Sequence, residues 1–110
     1  MDTEALVLKT LGEPIRLRLA ILLAAEDEVC VCRLASATEE PEYKVSRHLG
    51  VMRSAGLVEA RRQGTWMYYK LAEPNCDLTR HLVAFLAQGF DDHPAIKADR
   101  EHLRRVGCGE

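Results

Sequence analysis

Apolar positions along this chain follow a helical rhythm for most of its length and an alternating one in the middle. Glu4 to Leu11 is apolar on much of its circumference, with Ala5, Leu6, Val7, Leu8 and Leu11. A helix apolar nearly all round must be buried, and at the edge of a small protein that implies packing against a second subunit. Gly12-Glu13-Pro14 breaks it, and Pro14 suits the first turn of the next helix. Ile15 to Ala25 turns Ile15, Leu19, Leu22 and Leu23 inward, and Glu26-Asp27-Glu28 is a charged loop. Val29-Cys30-Val31-Cys32 alternates, which fits a brief extended start, and Leu34, Ala35 and Ala37 fit a short helix after it. Thr38-Glu39-Glu40-Pro41 is then a turn, and Val45, Leu49 and Met52 recur at i, i+4 and i+7 on one helical face. Ala55-Gly56 ends that helix, with glycine where a left-handed residue is needed.

The period then changes. Residues 57–62 and 66–71 are strand-like, and Gln63-Gly64-Thr65 joins them as a hairpin turn. Of Trp66, Tyr68 and Tyr69, two are expected to pack the hairpin onto the helices. Cys76 to Phe90 is helical again, with Leu78, Leu82, Phe85, Leu86 and Phe90 to one side, and Asp91-Asp92-His93 breaks it. Pro94 opens a last amphipathic helix to about Val106, and Gly107-Cys108-Gly109-Glu110 reads as a flexible tail. Two short helices joined by a few residues, followed by a hairpin, make a winged helix-turn-helix: mainly α with a β-hairpin wing, one domain over residues 1–110.

Net charge is −2, which alone argues against nucleic acid, but its distribution does not. Residues 1–41 sum to −4 and residues 72–110 to −2, whereas residues 42–71 sum to +4. The positive charge gathers on the second helix of the motif and on the hairpin. Lys44, Ser46, Arg47 and His48 are the candidate DNA contacts on that helix, with Arg61, Arg62 and Gln63 on the wing. Tyr43 is a weaker candidate. No stretch of 18 apolar residues exists, so no membrane span is expected, and the acidic N-terminus lacks the basic start of a secretory signal. A cytoplasmic location follows as the expectation, in which four cysteines are not structural disulfides. The sequence has neither a nucleophile–base arrangement nor a glycine-rich phosphate loop, so no enzyme and no catalytic cofactor are expected.

The segments Lys9–Arg18, Glu28–Leu34, Lys44–Leu49 and Ser54–Val58, then Arg62-Gln63-Gly64 and Trp66–Tyr69, occur in an order that resembles the ArsR/SmtB family of bacterial metal- and metalloid-responsive repressors. The similarity covers roughly residues 5–90. It implies a symmetric homodimer that binds double-stranded, palindromic operator DNA and lets go when an effector binds. Cys30-Val31-Cys32 looks like the arsenite and antimonite branch, in which a third cysteine lies three residues further on, and here that position is Ala35. As(III) or Sb(III) is the implied inducer, with Cys30 and Cys32 as ligands and Cys108, Cys76 or solvent as the third donor; Cys108 is the first choice. Thiolates select soft ions, so Cd(II), Pb(II) or a thiol oxidant or persulfide are the alternative signals. A thiol-based metalloid-binding protein with no DNA role is the alternative of another class. On an ideal helix, two residues of separation place side chains about 200° apart. Cys30 and Cys32 can therefore face one ion only if the backbone there is extended or distorts, which would reshape residues 30–35 under the DNA-reading helix. The family's other site, on the last helix, is rejected: Asp91-Asp92-His93 echoes its first half, but its second half would fall on Arg104 and Gly107, and His102 is off register.

Overall fold

The computed structural model describes residues 1–106. The segment expected to be a flexible tail, Gly107 to Glu110, lies outside the described residues, and so does Cys108. Six helices and three strands run in the order α1 (Asp2–Leu11), α2 (Pro14–Ala25), β1 (Val29–Cys30), α3 (Val31–Thr38), α4 (Glu42–Ser54), β2 (Val58–Gln63), β3 (Trp66–Leu71), α5 (Asp77–Gln88) and α6 (Pro94–Arg105). Among the described residues no helix is long and apolar enough to cross a membrane.

Helix α2 is the hub. Leu19, Ala20, Ile21, Leu22 and Leu23 expose 1% or less of their surface, so it is buried on every side. The other five helices and β3 all pack against it. Pro14 occupies its first turn, and the Glu13 carboxylate accepts the backbone N–H of Arg16 at 2.9 Å as its N-cap. Helix α3 ends where Glu39 takes a left-handed conformation (φ 57°), and the chain turns through Pro41 into α4. The α4 seam is as the spacing predicts: Val45, Leu49 and Met52 are 0% exposed. Gly56 (φ 79°) lets the chain leave α4, and Gly64 (φ 62°) makes the tip of the β2–β3 hairpin.

Two features exceed the sequence reading. The hairpin has a third strand: β1 pairs antiparallel with β3, giving the order β1-β3-β2. Helix α6 folds back along α3 and is strapped to it by three side chains. Arg33 donates to the carbonyls of Leu103 (2.8 Å) and Val106 (2.9 Å), capping the C-terminal end of α6. His102 Nδ1 stands 3.1 Å from the Ala37 carbonyl, which can only accept, so that nitrogen carries the proton. Asp99, 3% exposed, takes both oxygens to Arg18 at 2.8 Å, and Arg18 donates onward to the Thr38 carbonyl at 3.0 Å. The apolar excess of α1 is only half buried: Val7 and Leu11 are inside, while Leu6 and Leu8 remain 46% and 54% exposed and Phe85 on α5 remains 55% exposed.

Candidate metalloid and nucleic-acid sites

Cys30 closes β1 and is at the same time the N-cap of α3, with extended backbone (φ −76°, ψ 152°). Cys32 lies in the first turn of α3. The change from strand to helix between them removes the 200° divergence a continuous helix would impose. Their Sγ atoms stand 3.1 Å apart, a contact in which either sulfur can donate. Cys30 is 1% exposed and Cys32 is half-buried, so the pair has one side in the core and one toward solvent. The sulfurs converge without any distortion of α3.

Among the described residues of one subunit no group of three or more His, Cys, Asp and Glu is gathered. Cys76 is therefore not brought to the pair. It caps α5, close enough to Glu4 of α1 to feel its charge, and its thiol is held below the ordinary range by a hydrogen bond with Thr79, whose hydroxyl is 3.5 Å away, despite that carboxylate. At the end of the described residues Arg33, the residue after Cys32, holds the Val106 carbonyl through its side chain, and Cys108 follows Val106 by two residues in sequence. His93 caps α6 through Nδ1, and His102 Nδ1 is bound to the Ala37 carbonyl.

The positive block divides by what already holds each side chain. Ser46 and Arg47 are exposed on the outer face of α4, with the Arg47 guanidinium 5.7 Å from the Tyr43 ring centroid. Tyr43 itself is 69% exposed. Lys44 leans back onto Glu40 at 3.2 Å. His48, expected beside them, instead turns into the seam with α2. Its side chain is 18% exposed, with Nδ1 3.4 Å from Arg16 Nη1 and 3.7 Å from Glu13 Oε2. On the wing, Arg61 is engaged by Glu28 and by Gln63, whereas Arg62 is exposed and has no ion pair among the described residues. Of the three aromatic residues, Tyr69 is 7% exposed, Tyr68 is half-buried and Trp66 stays 36% exposed. Glu28, Glu13 and Arg18 were not singled out in the sequence. Their partners lie at residues 61, 48 and 99, and no local spacing announces a contact over that separation.

Residues 13–60 match the family described as bacterial regulatory protein, arsR family. The arsenic resistance transcriptional regulator ArsR1 of Pseudomonas putida is 45% identical over 69 residues, which is 63% of this chain and 54% of that one. The chain thus spans about half the length of that relative. The arsenical resistance operon repressor of Escherichia coli is 33% identical over 98 residues, covering 89% of this chain and 76% of that one. Among solved structures, the homodimeric winged helix-turn-helix DNA-binding domain of a possible ArsR-family transcriptional regulator from Mycobacterium bovis superposes with a TM-score of 0.65. It is 35% identical over 84% of this chain and 82% of that one.

Proposed function

The chain belongs to the arsR family of bacterial regulatory proteins, and from that premise we propose that it is a cytoplasmic homodimeric repressor that releases operator DNA when trivalent arsenic or antimony is captured by Cys30 and Cys32, with Cys108 as third ligand. The carrying observation is the 3.1 Å separation of the two sulfurs. Two sulfurs that already converge can share one soft ion, the class that thiolates select. Capture needs no oxidant: each thiol proton leaves with one hydroxide of arsenite as water, and an S–As bond replaces an As–O bond.

Cys108 is the choice for third donor because Arg33, the residue after Cys32, holds the Val106 carbonyl through its side chain, and Cys108 follows Val106 by two residues in sequence. For DNA the reading rests on Ser46 and Arg47, the open part of α4, and on Arg62 of the wing, with Lys44, Arg61 and Gln63 able to join once they leave their present partners. His48 supports the α2–α4 seam. The exposed Leu6, Leu8 and Phe85 suit the contact between subunits. Helix α3 links the two sites, since it packs against α4 while Cys32 lies in its first turn. An ion that binds one arrangement of α3 better than the other shifts the DNA equilibrium by that difference, and DNA weakens ion binding by the same factor.

X-ray absorption at the arsenic edge tests the site. Three sulfur neighbours are expected for the wild type and two for Cys108→Ser; three in both would remove Cys108. The same variants titrated with Cd(II) and Pb(II), and with peroxide or persulfide followed by mass spectrometry, separate a metalloid sensor from a heavy-metal or redox one. Release of DNA by those agents but not by As(III) or Sb(III) would contradict the proposal.

A further inference from the structure

Arg61 crosses the wing sheet. Tyr68 of β3 is the ladder partner of Cys30 on one side and of Arg61 on the other. Directly opposed residues present their side chains on the same face of a sheet. The Arg61 guanidinium lies 4.9 Å from the Tyr68 ring centroid and continues past it to Glu28. There it forms a fork: Nε donates to Oε2 at 3.0 Å and Nη2 to Oε1 at 2.6 Å, while Nη1 donates to Gln63 at 2.6 Å. A two-oxygen fork is also the geometry in which a guanidinium takes a phosphate.

Arg61 can therefore offer its Nε–Nη2 edge to a DNA phosphate only by giving up Glu28. Glu28 stands two residues before Cys30, on the short segment that leads from α2 into the sulfur pair. We propose that Glu28 is a built-in competitor for DNA phosphate: it holds Arg61 on the sheet, and its place beside Cys30 ties the wing's charge to the state of the sulfurs. This rests on the repressor reading above. An ion that fixes Cys30 and Cys32 fixes β1 and keeps Glu28 on Arg61. Without the ion, DNA draws the guanidinium away.

The test is a salt titration of DNA binding by Glu28→Gln, Arg61→Ala and the double variant, using a duplex recovered from a random-sequence pool with the wild-type protein. Gln keeps the size of Glu and removes its charge, and circular dichroism checks that each variant is folded. Glu28→Gln is expected to bind ion-free DNA more tightly, because DNA no longer has to displace the carboxylate, while Arg61→Ala should flatten the fall of log K against log salt by about 0.9, the slope of one lost phosphate contact. In the Arg61→Ala background Glu28→Gln should have no effect. Arsenite should bind Glu28→Gln with wild-type stoichiometry yet weaken its DNA binding by a smaller factor. An unchanged DNA affinity in Glu28→Gln, a tightening that persists without Arg61, or an unchanged salt slope in Arg61→Ala overturns the competitor role while leaving the repressor reading intact. A wild-type protein that selects no duplex contradicts the repressor reading and this inference together.

Discussion

Arg47 and Arg61 carry the same charge, but one is open on α4 and the other is held in a fork by Glu28. Arg47→Ala should therefore weaken operator binding by about 1–3 kcal/mol, roughly five- to 150-fold. Arsenite binding, measured by calorimetry, should be unchanged, since Arg47 is exposed on α4 and is not one of the proposed sulfur ligands; a parallel loss of arsenite binding would mean misfolding. Cysteine chemistry divides the same way. Cys76 has its thiol lowered by Thr79, while Cys30 is 1% exposed. Iodoacetamide followed by peptide mass spectrometry should modify Cys76 before Cys30, and Cys76→Ser should leave arsenite-induced release intact. Loss of release in Cys76→Ser would put that cysteine back among the ligands.

Helix α4 was legible from residue spacing alone, because Val45, Leu49 and Met52 are all fully buried and a single period states which face is inside. Strand β1 was not: it has two residues, both buried, and two residues define no period. The alternation at Val29–Cys32 pointed to an extended start, yet its partner, β3, lies forty positions further on, as in Val29↔Tyr69. The convergence of Cys30 and Cys32 was legible as a condition, that the backbone be extended there, and the strand-to-helix step meets it. The open face of α4 also contains Gly50, around which an added Cβ would meet nothing within 4 Å. Glycine in an exposed helix interior costs about 0.5–1 kcal/mol relative to alanine. Gly50→Ala should raise the thermal midpoint accordingly. If DNA approaches that face closely, it should weaken operator binding as well; a midpoint that fell would mean that α4 is constrained there in some other way.

Across the whole molecule, α6 ties the sensor helix to the rest of the fold. Arg18 joins α2, the Thr38 carbonyl at the end of α3 and Asp99 of α6, and Arg33 joins α3 to the last described residues. The sequence showed α6 as an amphipathic helix but not where it docks, because Asp99 and Arg18 are eighty-one positions apart. Removing the carboxylate leaves a guanidinium that is only about a quarter exposed. Asp99→Ala should cost about 3 kcal/mol in urea unfolding, the lower end of the range for breaking a buried pair. A loss below about 1 kcal/mol would show that water or Glu40 takes over Arg18. The subunit contact ascribed to Leu6, Leu8 and Phe85 belongs to the same scale, and light scattering that gave a monomer at working concentration would remove it.

The central claim is that capture of a soft ion by two converging sulfurs is what releases DNA. Fluorescence anisotropy of a labelled operator duplex, titrated with arsenite against wild type and against Cys30→Ser/Cys32→Ser, addresses it most directly. The wild-type complex should dissociate while the double variant stays bound at saturating arsenite, with its ion-free affinity preserved. Equal release from both proteins would place the switch elsewhere in the chain.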